Sequence, residues 1–115
     1  MRRGEVFRAC LEPRSGSEQR GFRPVLVVSH DAFNQAGTWR SLLVVPLSTS
    51  PRQRQRGPTA VLLPAGTAGL PQASVALCHQ VTTLDRSKLG ERVGALPDDL
   101  LRQVERGLLV ALGIL

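Results

Sequence analysis

Arg23-Pro24-Val25-Leu26-Val27-Val28-Ser29 holds an unbroken, largely β-branched apolar run. A run this short and apolar reads as a central strand buried on both faces. Pro24 suits its start, where a missing N–H costs least. Upstream, Glu5 to Leu11 reads as a first strand, and Glu12 to Phe22 as a long loop rich in charge and turn formers. Downstream, Asp31 to Gln35 fits a single helical turn ended by Gly37. Arg40 to Leu47 reads as a third strand, with Ser48-Thr49-Ser50 at its exit. Residues 50–58 form a basic loop bracketed by Pro51 and Pro58. Thr59 to Leu63, Ala73 to Thr83 and Arg92 to Gly94 complete the strands, the first two separated by a turn at Pro64 to Gly69. Short strands at this spacing predict a mainly β (α+β) fold, a small barrel or strongly bent antiparallel sheet rather than a parallel sheet with crossover helices.

The period changes near the C-terminus. Leu100, Leu101, Val104, Leu108, Ala111 and Leu112 recur at three- and four-residue intervals, which predicts a helix with one apolar face. Pro97 suits its first position, and Asp98 and Asp99 complement the positive end of the helix dipole. Gly107 costs such a helix about 1 kcal/mol relative to alanine. Close packing on the sheet is the expected reason to keep it. Gly113 ends the helix.

The 115 residues suffice for one compact domain, here 1–115, and 42% hydrophobic with 21% charged residues fits a globular chain. No apolar run approaches the roughly 18 residues of a membrane-spanning helix. The basic start at Met1-Arg2-Arg3 meets Glu5 and Arg8 before a signal-peptide core forms, so a cytoplasmic protein without membrane partners is expected. Cys10 and Cys78 are too few for a disulfide scaffold or a zinc site, and both are expected to be buried free thiols. No metal or other cofactor is expected. The net charge is +6, and all of it falls in residues 1–57, whereas residues 58–115 balance to zero. Lys88 is the single lysine; the other basic residues are arginines. Guanidinium forks fit phosphate oxygens two at a time, so this asymmetry points to a polyanion, above all a nucleic acid.

Gly16-Ser17-Glu18-Gln19-Arg20-Gly21-Phe22-Arg23-Pro24, leading into the apolar strand, resembles the Gly-Ser-Glu-Gln…Arg-Pro signature of the MazF/PemK family of toxin endoribonucleases. The opening strand, Val44-Val45-Pro46-Leu47-Ser48, and Ser74 to Gln80 followed by Asp85 to Leu89 agree in order and spacing, so the resemblance spans nearly the whole chain. It implies an SH3-like barrel with a C-terminal helix, working as a homodimer. It also implies a cognate MazE-like antitoxin whose acidic C-terminal segment covers the arginine-rich face, and DNA binding in complex with it. The implied activity is sequence-specific, metal-independent cleavage of single-stranded RNA, in which the RNA's 2′-hydroxyl attacks the adjacent phosphorus. A gyrase-poisoning relative of the same fold would end in Trp-Gly-Ile, whereas this chain ends Leu112-Gly113-Ile114-Leu115. A non-catalytic RNA- or DNA-binding module is the remaining alternative.

By resemblance, Arg23 is the catalytic arginine. A guanidinium does not serve as a proton acceptor in water, so its task is to stabilise charge on the phosphoryl oxygens or also to donate a proton to the leaving oxygen. Ser48 stands where the family usually carries threonine, and either it or Thr49 supplies a hydroxyl. Glu18 is the candidate base, or positions Arg23. Ser17, Gln19 and Arg20 shape the loop or touch RNA. His79 and Gln80 are candidate RNA contacts; His79 differs from the family's usual acid and is either a proton carrier or a bystander. Arg52, Arg54 and Arg56 alternate with glutamines, which in an extended loop aims them to one side, toward an RNA backbone. Phe22 and Trp39 lie in loops and either stack bases or pack against protein.

Overall fold

The computed structural model describes residues 1–12, 16, 21–55 and 57–115. Among these, seven strands form one antiparallel sheet: β1 (Glu5–Cys10), β2 (Phe22–Val27), β3 (Ser41–Ser48), β4 (Ala60–Leu63), β5 (Ser74–Leu77), β6 (Thr82–Asp85) and β7 (Leu89–Ala95). A one-turn helix α1 (Asp31–Asn34) joins β2 to β3, and helix α2 (Asp98–Ala111) follows β7. The strand order is β4-β5-β3-β2-β1-β7, with β6 also on β3. The expected bent antiparallel sheet is therefore present, and it is not closed into a barrel. A turn at Thr67–Gly69 packs against β7, its Ala68 backbone lying close to Gly94.

The bend originates in β3. Its first half pairs with β6 from Ser41↔Asp85 to Val44↔Thr82, and its last residues pair with β5 at Leu47↔Ala76 and Ser48↔Val75. One eight-residue strand thus serves two neighbours on the same side. The sequence run from Ala73 to Thr83 is consequently not one strand: β5 and β6 are separated by a 3-10 turn at Cys78–Gln80.

The strand read from Val25 to Val28 is central and buried on both faces, as its composition predicts. Leu26 and Val28 join Val45, Leu47 and Ala76 in a core covered by Leu101 and Val104 of α2. Val25 and Val27 join Ala9, Leu11, Val44 and Leu84 in a second core on the opposite face. Two cores on two faces explain why the run lacks the alternation of a half-exposed strand. Helix α2 begins one residue after Pro97, which caps it in extended conformation. Gly113 ends it with φ +75°, a left-handed conformation that glycine adopts without cost. Cys78 is buried, whereas Cys10 is half-buried, at the edge rather than within the core. Among the described residues, no helix is long and apolar enough to cross a membrane.

Candidate nucleic-acid site

Arg23 and Ser48 lie at adjoining ends of neighbouring strands. Val25 of β2 pairs with Pro46 of β3 as the last pair of that ladder, and Arg23 and Ser48 each lie two residues beyond it, at the same end of the two strands. Side chains two residues apart share a face, so both project to the side that carries Val25 and Val44 deeper in the sheet.

Arg23 is exposed. Ser48 is 5% exposed, and its Oγ accepts a hydrogen bond from the Ser50 N–H at 3.1 Å. That bond fixes the oxygen and leaves the hydroxyl proton to be donated. Thr49 is exposed and lines a 230 Å³ cavity together with Arg23, Phe22, Arg8, Gln72 and Ser74. The floor is tied down, since Ser74 Oγ donates to the Gln72 carbonyl at 3.1 Å. The two hydroxyls are thus differently placed: Ser48 is buried at the end of β3, and Thr49 opens on the cavity that Arg23 also lines.

Ser17, Glu18, Gln19, Arg20 and Arg56 lie outside the described residues. His79 and Gln80 occupy the turn at the far end of β5 from Ser74, and neither lines the cavity that holds Arg23. Their side-chain nitrogens are 3.5 Å apart. Arg52 and Arg54 do not alternate along an extended loop. Pro51–Gln55 is a 3-10 helix, with three residues per turn, so side chains two apart diverge by roughly 120°. The expectation that both aim to one side therefore fails, because Pro51 presets a helical φ and turns the segment. His30, to which the sequence assigns no role, caps α1: its Nδ1 accepts from the Ala32 N–H at 2.9 Å.

Arg8 and Gln72 belong to the cavity but not to the sequence-based site. Arg8 pairs with Pro24 in the β1–β2 register, so strand alternation carries a signal for it. Gln72 sits in the turn before β5, where nothing local marks it. Among the described residues, no cluster of three or more His, Cys, Asp or Glu could hold a metal ion.

The family model described as PemK-like, MazF-like toxin of type II toxin-antitoxin system matches residues 2–112. The chain is 33% identical to "Endoribonuclease EndoA" of Bacillus subtilis, over all of this chain and 97% of that protein. It is equally 33% identical to "Endoribonuclease MazF" of Staphylococcus saprophyticus, over 99% of this chain and 92% of that one. The crystal structure of MazF from Deinococcus radiodurans superposes with a TM-score of 0.79 at 30% identity, covering 96% of this chain and 94% of that one. An endoribonuclease in complex with its cognate antitoxin from a mycobacterial species gives 0.78 at 26% identity, covering 98% and 95%. The chain belongs to the PemK-like, MazF-like toxin family of type II toxin-antitoxin systems.

Proposed function

We propose that this protein is the toxin of a toxin–antitoxin pair and cuts single-stranded RNA at short sequences without a metal ion. What supports the reading is that Arg23, at the start of β2, lines one cavity with Thr49, the residue after Ser48 at the end of β3. The RNA 2′-oxygen attacks phosphorus, the bond to the 5′-oxygen of the next nucleotide breaks, and a 2′,3′-cyclic phosphate and a 5′-hydroxyl result. Arg23 holds the phosphoryl oxygens as charge accumulates on them. Ser48, its oxygen fixed by the Ser50 N–H, donates to the same phosphate. Glu18 takes the 2′-proton, and the leaving 5′-oxygen takes one from the Arg23 guanidinium, which water then restores. The protein acts in the cytoplasm as a homodimer of single-domain chains, and an acidic antitoxin segment neutralises its arginine-rich face.

Purified protein incubated with single-stranded RNA and EDTA is expected to yield fragments ending in cyclic phosphate. Arg23→Ala is expected to lower the rate by about 100- to 1,000-fold, the scale of losing one preorganised charge donor. Its circular dichroism should be unchanged. Cleavage that requires a divalent ion, or full activity in Arg23→Ala, refutes the reading.

A further inference from the structure

Phe22 is the most exposed of the large apolar side chains, at 72%, although it sits in a paired strand immediately before Arg23. It lies between two cavities. One is the 230 Å³ cavity of Arg23 and Thr49; the other, of 480 Å³, is lined by Lys88, Glu91, Gly90 and Cys10. Phe22 and Arg8 line both.

A β-bulge opens the second cavity. Phe7 pairs with Arg92 and Ala9 with Leu89, so Gly90 and Glu91 together oppose the single residue Arg8. Bulges bend the strand that carries them and re-aim side chains next to active sites. Gly90 adds to the opening: a Cβ there would stand 3.3 Å from the Arg8 carbonyl oxygen. Lys88 is anchored by donating from Nζ to the Glu12 carbonyl at 2.5 Å, and an ammonium carries two further donors. Among the described residues lining this cavity, Arg8 and Lys88 outweigh the one carboxylate, Glu91.

We infer that Phe22, Arg8 and Lys88 form a subsite for the nucleotide next to the scissile phosphate. The exposed ring stacks on its base, and the two cations hold backbone phosphates on either side of the ring. A stacking face tolerates every base, because each has a π-surface. The subsite therefore contributes affinity and strand register rather than base identity. Its place beside the cut rests on the ribonuclease reading; its existence as an RNA contact does not.

The test uses single-stranded 12-mers with 2′-O-methyl riboses, which cannot be cut by 2′-attack, in random-sequence and fully abasic forms. Binding is read by fluorescence anisotropy. Phe22→Ala is expected to weaken the base-bearing strand roughly 5- to 100-fold and to leave the abasic strand unaffected, with Phe22→Trp restoring affinity. Arg8→Gln is expected to weaken both strands alike and to lower the salt slope by about one. Unchanged RNA affinity in Phe22→Ala overturns the subsite. So does unchanged affinity accompanied by a shift in sedimentation, which makes the ring a protein contact. Wild-type protein that binds these strands through Phe22 yet cleaves no unmodified RNA refutes the nuclease reading and retains the subsite.

Discussion

Gly107 of α2 lies directly against Cys78: a Cβ at position 107 would stand 2.7 Å from the Cys78 Sγ and 3.3 Å from its Cβ. The helix crosses the turn that separates β5 from β6 at the one position where it has no side chain. Gly107→Ala therefore sets two effects in opposition. Helix propensity gains about 1 kcal/mol, and overpacking a buried contact costs about 1–3 kcal/mol. The clash is with a core group that has little room to move, so the net is a loss of about 1 kcal/mol, read as a lower urea midpoint with an unchanged slope. Adding Cys78→Ala in the same chain should recover part of it.

Burial pushes the Cys78 thiol up to about 11, and its Sγ donates weakly to the Val104 carbonyl at 3.6 Å. Thiol reagents attack the thiolate, so at pH 8 in native buffer this cysteine should stay silent while the half-buried Cys10 reacts. A colorimetric thiol titration is expected to show one fast equivalent, and two only after denaturant. Two fast equivalents would mean that the helix–turn contact opens readily.

The strands Val25–Val28 and Leu42–Leu47 were legible because their composition already encodes burial, and α2 because its apolar residues recur at helical spacing. The break inside Ala73–Thr83 was not, since no glycine or proline marks it. Cys78–Gln80 turns because β3 offers one edge to both β5 and β6, which is a tertiary cause. Of the proposed site, motif and strand position single out Arg23 and Ser48, which lie at adjoining ends of β2 and β3. Arg8 could have been found as the cross-strand partner of Pro24. The groove beside Phe22 depends on a bulge in β7 whose local mark is Gly90, which lies outside the Arg92–Gly94 stretch read as the last strand.

Arg86 shows what long-range satisfaction does for a loop. Its guanidinium donates to four backbone carbonyls: Asn34 at 2.9 Å, Trp39 at 3.0 Å, Phe33 at 3.1 Å and Ala36 at 3.2 Å. It gathers the chain from α1 to β3, where Phe33 and Trp39 stack with centroids 4.8 Å apart. A lysine has the charge but not the planar fork. Arg86→Lys is expected to cost about 1–3 kcal/mol and to speed amide exchange selectively over residues 33–40. Uniformly faster exchange across the sheet would contradict the clamp.

Asp31 gives the pH dependence a sign. The Arg3 N–H at 2.7 Å and the Asn34 side-chain amide at 3.0 Å both donate to its Oδ1 and hold its carboxyl below the usual range. A depressed native pKa stabilises the fold above the unfolded value, near 3.9, and that contribution disappears as pH falls through the native value. Asp31→Asn should lower the thermal midpoint at pH 7 by about 5 °C. The difference from wild type should narrow below pH 4. A constant difference across that range would assign the effect to packing instead.

Ser48 and Thr49 separate by what each oxygen touches. Ser48 Oγ is fixed by the Ser50 N–H and shares a face with Arg23, whereas Thr49 opens on the cavity floored by Gln72 and Ser74. A group that acts only as charge develops lowers kcat when removed; one that grips the bound strand raises KM. Ser48→Ala is accordingly expected to cut kcat about 10- to 100-fold with KM little changed, and Ser48→Thr, which keeps the hydroxyl, to retain activity. Thr49→Val should raise KM several-fold and leave kcat near wild type. The reverse pattern, with kcat lost at Thr49 and KM at Ser48, would move the reacting phosphate off the shared face of β2 and β3 and into the cavity beside Phe22.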